Sequence, residues 1–470
     1  MKLCYPDVLA ERYATAPLVN LWGPVNRVIL ERQLWIAALK GQRDLGVKIT
    51  DEAIRSYEAS IGNVNLDSIR EREKKTRHDV KARVEEFNEL AGFQLAHGGF
   101  TSRDLTDNVE QLQIRDSLLH VRDRTVAVLV RLGYNAEQYA LLDICGRSHN
   151  VPAQTITQGK RFANYAEELL FGFDRLLSLI DSYPLRGIKG PMGTQQDMVD
   201  LLGSPEKASA LEDRIREHLG FKKVFTSVGQ VYPRSLDFAV LSTLTLLSGA
   251  LGNFAKMVRL MAGQELAHEG NKEGQTFSSG MPHKINTRTG ERISALIHVI
   301  GGYEEIVKGL VGDQWYEGDV SCSVVRRVAL PGAFFALDGL YEAAMTILDE
   351  MELFPGMVVA ELKRFLPFLS TTRLLMAVFK KGMGREDAHA IIKKHAQTAI
   401  KAMHEGELNP FVLTLADDEC FPLNREEIEE LMEKPDHGLA PEQVKSVCGR
   451  IHKLKQEYPE AAVYKPETIL

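Results

Sequence analysis

Helical periodicity dominates the pattern of apolar and polar positions. Leu105, Val109, Leu112, Leu119, Val126 and Leu129 recur on one face, and Thr101 followed three residues later by Asp104 predicts a capping box at the start of that helix. Further apolar-periodic runs cover about 136–144, 158–180, 236–266, 289–311 and 331–351. Alternating strand patterns and Asn-Gly turns are nearly absent, so a mainly α fold is expected, its long helices packed as a roughly parallel or antiparallel bundle. Texture separates three regions: shorter helices and loops over 1–104, a central long-helix block over 105–356 that ends at Pro355-Gly356, and a proline-punctuated helical region over 357–470. There is no internal repeat or low-complexity stretch.

One run raises the question of a membrane. Phe238 to Ala255 is uncharged and just long enough to span a bilayer. It contains Ser242, Thr243, Thr245, Ser248 and Asn253, however, and is flanked by Asp237, Lys256 and Arg259. The better reading is a core helix, apolar on most faces because it lies at the centre of a bundle.

Composition narrows the functional classes. The 470 residues carry 57 Lys and Arg against 64 Asp and Glu, a formal charge of −7. That balance argues against a sequence-independent hold on nucleic acid or anionic lipid, so any basic site must be local. The five cysteines are scattered, with no C-x-x-C pair, and fit reduced thiols in a cytosol. The first residues lack an apolar run of signal-peptide length, so secretion is not expected. His268-Glu269 lacks the second histidine of a zinc motif because position 272 is Lys272. No Walker A or G-x-G-x-x-G sequence occurs, and neither a metal nor a cofactor is expected.

The most informative segment runs from Gly274 to Asn286 and includes Ser278-Ser279-Gly280-Met281-Pro282-His283-Lys284-Ile285-Asn286. Two hydroxyls, two glycines and a fixed cation between helical runs suit a loop that closes over an anion better than a plain surface connection. This segment resembles the signature loop of the fumarase/aspartase superfamily, whose members eliminate fumarate from substituted succinates. Other segments are similar to the adenylosuccinate lyase family within it: Arg12-Tyr13-Ala14-Thr15, Thr76-Arg77-His78-Asp79-Val80, Thr101-Ser102, Gly146-Arg147-Ser148-His149, Arg186-Gly187-Ile188-Lys189-Gly190, Gly229-Gln230-Val231-Tyr232-Pro233-Arg234 and Gln314-Trp315-Tyr316-Glu317. The resemblance covers residues from about 10 to 375, in family order.

The chemistry explains such a set. Eliminating an amine from a succinyl group means removing a weakly acidic proton beside a carboxylate, holding the resulting dianion and protonating the departing nitrogen. The resemblance implies that Ser278 is the general base, activated by its surroundings. Ser279 either binds a carboxylate or shapes the loop. His149 resembles the general acid, a residue type that ordinarily titrates near neutral pH. Glu291 matches the carboxylate that orients this histidine, although an exposed helical glutamate is the competing reading. Lys284 and Asn286, with Thr101, Ser102 and Gln230, resemble the clamp for the succinyl half. Arg292 resembles a further substrate contact, and Arg77, His78 and Asp79 would lie near a nucleotide and its phosphate. Lys189 matches a motif without an assigned role, but is expected to join a local basic pocket with Arg77, Lys284, Arg292 and Arg327.

Three positions in two segments depart from the family. Gly318 stands where an arginine normally helps to bind the nucleotide phosphate, and Lys284-Ile285-Asn286-Thr287 replaces a usual Lys-Arg-Asn-Pro. Ser323, Arg327, Arg12 and Tyr13 remain from the cluster. These changes touch the leaving-group half more than the succinyl half. The resemblance therefore implies a lyase splitting adenylosuccinate, and the succinylated aminoimidazole carboxamide ribotide, in purine biosynthesis. A related lyase on another aminosuccinate is the alternative, and a non-catalytic protein on the same fold a more remote one. It further implies a cytoplasmic D2 homotetramer with a twenty-helix core and active sites shared between subunits, acting on a small anionic substrate without nucleic acid or membrane.

Overall fold

The structure is a computed structural model that describes residues 7–270, 280–433 and 436–467. The N-terminal region comprises α1 (Val8–Arg12), α2 (Ala16–Trp22), α3 (Pro24–Asp44), α4 (Asp51–Ala59), α5 (Leu66–Thr76) and α6 (Asp79–Ala91). α7 (Ser102–Gln138) then runs 37 residues in one helix. Its N-terminus is fixed as expected: the Thr101 amide donates to the Asp104 carboxylate at 2.8 Å, the reciprocal half of the capping box.

The apolar run at 136–144 divides. α7 takes its first part, and β1 (Asp143–Ser148) begins an antiparallel hairpin with β2 (Val151–Thr157). The helical reading fails there because Leu141 is exposed just before the strand and Ile144 and Cys145 are the apolar side chains that β1 buries, and a short apolar run suits a buried strand as well as a helix. The two residues at the tip, His149 and Asn150, have φ of +52° and +62°. Two successive left-handed residues are what a tight two-residue hairpin requires, and asparagine tolerates that region better than most side chains.

α8 (Gln158–Ser182) returns antiparallel along α7. After it, residues 183–234 form an insert holding β3 (Pro184–Leu185), α9 (Gln196–Leu202), α10 (Pro205–His218) and β4 (Lys223–Val224), with α10 packed on α3. α11 (Ser235–Gly263) is the apolar helix of the membrane question. Length and composition alone would let it cross a bilayer, but it packs against α8, α12 and α13, and Leu244, Leu247, Leu251 and Phe254 are fully buried within the protein. β5 (Ala267–His268) follows, then α12 (Arg288–Lys308), α13 (Cys322–Glu350) and β6 (Glu352–Leu353), which pairs with β5. α13 begins nine residues before the run read from Pro331. The proline sits inside the helix without ending it, and the early turns carry Ser323, Arg326 and Arg327.

α7, α8, α11, α12 and α13 form the bundle, and their buried side chains belong to one continuous core. α14 (Pro355–Leu369) packs against the hairpin. α15 (Thr371–Lys380), α16 (Arg385–His404), α17 (Phe411–Ala416) and α18 (Arg425–Glu433) enclose a separate core around Leu374, Val378, Ala388, Phe411, Leu415 and Ile428. The final helices, α19 (Ala440–Glu457) and α20 (Pro459–Ala462), leave that unit and return to α7 and α8. The region expected over 357–470 thus splits: Val444, Cys448 and Ile451 pack into the bundle core, because the apolar stripe of α19 finds its partner there.

Candidate active site

Chain direction carries most of the predicted site residues to two ends of the bundle, while Tyr13 packs midway along α13. One end gathers the N-terminus of α7, the start of α11 and the start of α13, and with them Thr101, Ser102, Gln230, Ser323 and Arg327. His78 caps α6 there: the Lys81 amide donates to its Nδ1 at 3.2 Å, and its Nε2 lies 3.5 Å from Ser102 Oγ. Asp79 pairs with Arg83 at 3.3 Å and with Arg327 at 3.6 Å. Burial works against its ionisation, but Arg83, the Val80 amide and Arg327 override it, so the carboxyl sits below its ordinary range. Arg77 is exposed in a left-handed conformation that ends α5.

Sequence reasoning missed a neighbour of this group. His97, with φ +74°, accepts a hydrogen bond from Trp35 Nε1 at Nδ1 (3.1 Å). Burial first, and His78 second, push it down to about 4 against the pull of Asp104, so the imidazole is neutral with its proton on Nε2. The only sequence signal was His97-Gly98-Gly99 preceding the helix cap.

Beneath these residues lies a charged layer. Asp104 and Arg186 are fully buried and joined at 2.5 Å. Arg326 donates to Asp237 at 2.7 Å, to Glu110 at 2.5 Å and to Tyr232, while Asp107 binds Arg103 and Arg234 at 3.1 and 3.0 Å. Burial opposes ionisation of Asp107 and Glu110, and the surrounding guanidinium groups overcome it, holding both below their ordinary range. Lys189 belongs to this layer. The expectation that it joins a basic pocket is corrected: its Nζ is buried against Glu212 at 2.7 Å.

The opposite end holds His149, the N-terminus of α12 and the end of α13. His149 is exposed at the hairpin tip, beside which Arg147 binds Glu361 at 2.5 Å and, across the turn, the Asn150 carbonyl at 3.0 Å. Lys284 is exposed and Asn286 half-buried just before α12. Glu291 is exposed on its first turn, and the expected hydrogen bond to His149 is not made within the chain. Arg292 stands over the Tyr13 ring, 5.8 Å from its centre, and Tyr13 itself lies against Gly339 of α13, where a Cβ would meet its backbone oxygen at 2.8 Å. Arg12 is exposed at the end of α1. Ser278 and Ser279 lie outside the described residues.

The two ends are far apart. At about 1.5 Å per residue, the 37 residues of α7 put roughly 55 Å between Ser102 and the hairpin. One chain therefore does not bring His149 to Ser102 and Gln230.

Gly318 closes the turn after Gln314-Trp315-Tyr316-Glu317. Its φ is +137°, and a Cβ there would lie 2.8 Å from Val231 Cγ2. The Gln230 amide donates to the Glu317 carbonyl at 2.7 Å, so this turn lies directly on the 229–231 segment. A cavity of about 460 Å³ opens beside it, lined by Thr194, Ser227, Gln314, Tyr316 and Glu317 among others, and among the described residues its wall holds no lysine or arginine. Among the described residues no group of three His, Cys, Asp or Glu side chains is placed to hold a metal ion.

Comparisons with known proteins agree with this architecture. The family described as "Lyase" matches residues 25–302, and "Adenylosuccinate lyase C-terminus" matches 367–447. Adenylosuccinate lyase of Saccharomyces cerevisiae is 32% identical, covering 94% of this chain and 93% of its own. That of Schistosoma mansoni is 30% identical, covering 89% and 88%, and that of Pyrococcus abyssi 27%, covering 95% and 98%. Among solved structures, 3-carboxy-cis,cis-muconate lactonizing enzyme from Pseudomonas putida superposes with a TM-score of 0.81 at 18% identity, covering 96% of this chain and all of that one. Fumarate lyase from Mesorhizobium sp. BNC1 gives 0.79 at 19%, covering 95% and all of that chain. At that identity the two structures speak for the fold alone.

Proposed function

The chain belongs to the adenylosuccinate lyase family of the fumarase/aspartase superfamily, and from that membership we propose that it splits adenylosuccinate into AMP and fumarate in purine biosynthesis, and acts likewise on the succinylated aminoimidazole carboxamide ribotide. The observation that carries the reading is the family match over nearly the whole chain, together with retention of His149, Lys284 and Asn286 in their motifs.

In the proposed reaction, Ser278 removes a proton from the succinyl carbon next to the one that bears nitrogen. The electron pair left behind forms the carbon–carbon double bond of fumarate as the carbon–nitrogen bond breaks, and His149 supplies a proton to the departing nitrogen. Lys284, Asn286, Thr101, Ser102 and Gln230 hold the carboxylate on which negative charge accumulates. Glu291 orients the imidazole, and Arg12, Tyr13, Arg77, His78, Asp79, Arg292, Ser323 and Arg327 surround the nucleotide.

The roughly 55 Å between the two ends argues that this site is composite, with His149 and the α12 end contributed by other copies of the chain to the Ser102 end. Exposed apolar residues on the bundle helices support such an assembly. Leu246 and Leu260 lie on α11 and Ile306 on α12, while Val324 and Val328, 70% and 52% exposed, lie one turn apart on α13. The assembly we propose is the D2 homotetramer, in the cytoplasm, without nucleic acid or membrane as partner. The described cysteines Cys145, Cys322, Cys420 and Cys448 are all free, in keeping with a reducing compartment.

Gly318 favours a second reading, a related lyase whose leaving group lacks the phosphate, since a glycine stands where the family's phosphate-binding arginine would be and the described wall of the cavity beside it offers hydroxyl and amide donors with the Glu317 carboxylate. Fumarate release measured with adenylosuccinate, the ribotide and a dephosphorylated aminosuccinate separates them. Turnover of the phosphorylated pair supports the first reading; turnover of the dephosphorylated compound alone selects the second.

A further inference from the structure

We propose that the buried Asp104–Arg186 pair is a positioning device for the carboxylate-holding part of the site, fixing Thr101 and Ser102 against Gln230 and cancelling the charge that Asp104 would otherwise present to an anionic substrate. This rests on the fumarate-releasing reading given above.

The geometry is specific. Asp104 Oδ2 accepts from the Thr101 amide at 2.8 Å, while Oδ1 accepts from Arg186 Nη1 and from the amides of Lys189 (2.9 Å) and Gly190 (3.0 Å). Arg186 Nη2 then donates to the Gly190 carbonyl at 3.0 Å and to the Gly229 carbonyl, immediately before Gln230, at 3.1 Å. One carboxylate and one guanidinium thus tie together the α7 cap, the 186–190 turn and the 229–230 segment, which lie far apart in sequence. Neither side chain reaches solvent, so neither touches substrate.

The charge has its own consequence. The free amides at a helix N-terminus favour an anion, but a carboxylate in the first turn of α7 opposes one, and does so strongly where water is excluded. Arg186 supplies the opposite charge from behind. A lysine keeps that charge yet cannot span Asp104, Gly190 and Gly229 at once, because it lacks the planar fork.

Arg186→Lys is the test, with adenylosuccinate kinetics, fumarate product inhibition and thermal unfolding measured together. Loss of one charge-assisted hydrogen bond predicts that KM and the fumarate inhibition constant both rise about tenfold, with kcat within about threefold of wild type. A merely structural pair would change the unfolding temperature alone, and a folded variant with wild-type KM and inhibition constant overturns the proposal. If Arg186→Lys is insoluble, Asp104→Asn combined with Arg186→Met removes both charges together, and the same two outcomes apply. Wild-type protein that turns over no substrate refutes the functional reading instead. Fumarate binding by calorimetry then decides this inference: weaker binding by the variant supports it, while equal binding, or none by wild type, overturns it.

Discussion

At position 318 the backbone leaves no room for a side chain. With φ at +137° and Val231 Cγ2 2.8 Å from any Cβ, Gly318→Arg should cost about 1–3 kcal/mol in backbone strain and displaced packing. It should not raise affinity for AMP. Thermal unfolding and AMP binding by calorimetry check this, and a tighter-binding variant of unchanged stability would show that the turn adapts freely. His97 gives a second expectation. Held at about 4 by burial and by His78, its ring should stay neutral from pH 5.5 to 8, seen as a flat Cε1–H resonance where an exposed histidine would titrate. Legibility at this scale was uneven. Thr101 and Asp104 announced the cap directly, because capping is local in sequence. Lys189 does not join the expected basic pocket, since its partner Glu212 lies 23 positions away and no spacing reveals it.

Among the elements, long helices were the most visible, because a 3.6-residue apolar period repeated over twenty or more residues is hard to produce otherwise. The β1–β2 hairpin was hidden. It is short, its apolar residues continue the period of α7, and its turn is marked only by Asn150. That turn aims the residue proposed as general acid, so Asn150→Val should act at a distance: a β-branched side chain is disfavoured at φ +62°. The expected result is a fall in kcat of about tenfold or more with KM little changed, as for a misplaced proton donor. Asn150→Gly should retain activity. Equal loss in both variants would point to an Asn150 side-chain contact in place of backbone geometry.

Over the whole molecule, a buried polar chain ties the C-terminal tail to the bundle. Glu342 on α13 accepts from Tyr464 Oη at 3.0 Å and from the Glu467 amide at 2.6 Å, with Arg124 at 3.3 Å and Asp338 one turn away. Burial pushes its carboxyl up to about 7, with Asp338 pushing the same way and the Glu467 amide, Arg124 and Tyr464 opposing. A raised carboxyl favours the folded state fully below its ordinary value of 4.5, and that contribution is lost as pH rises through 7. Relative to Glu342→Gln, wild type should therefore lose stability between pH 5 and 7, by at most about 1.4 kcal/mol per unit. Denaturant unfolding across that range checks it, and parallel curves would contradict it.

The order of motifs along the chain does not give their spacing in the fold: the bundle carries them to ends roughly 55 Å apart, because α7 runs unbroken between them, and only the family resemblance implied sites shared between subunits. In the proposed assembly those ends meet between copies of the chain to release fumarate. The direct test mixes two inactive variants, His149→Gln and Ser102→Ala combined with Gln230→Ala, after partial dissociation and reassembly, and follows fumarate from adenylosuccinate. Each variant alone should be inactive and the reassembled mixture active, since some composite sites then receive no altered residue. A mixture that reassembles fully yet stays as inactive as its parts would contradict it.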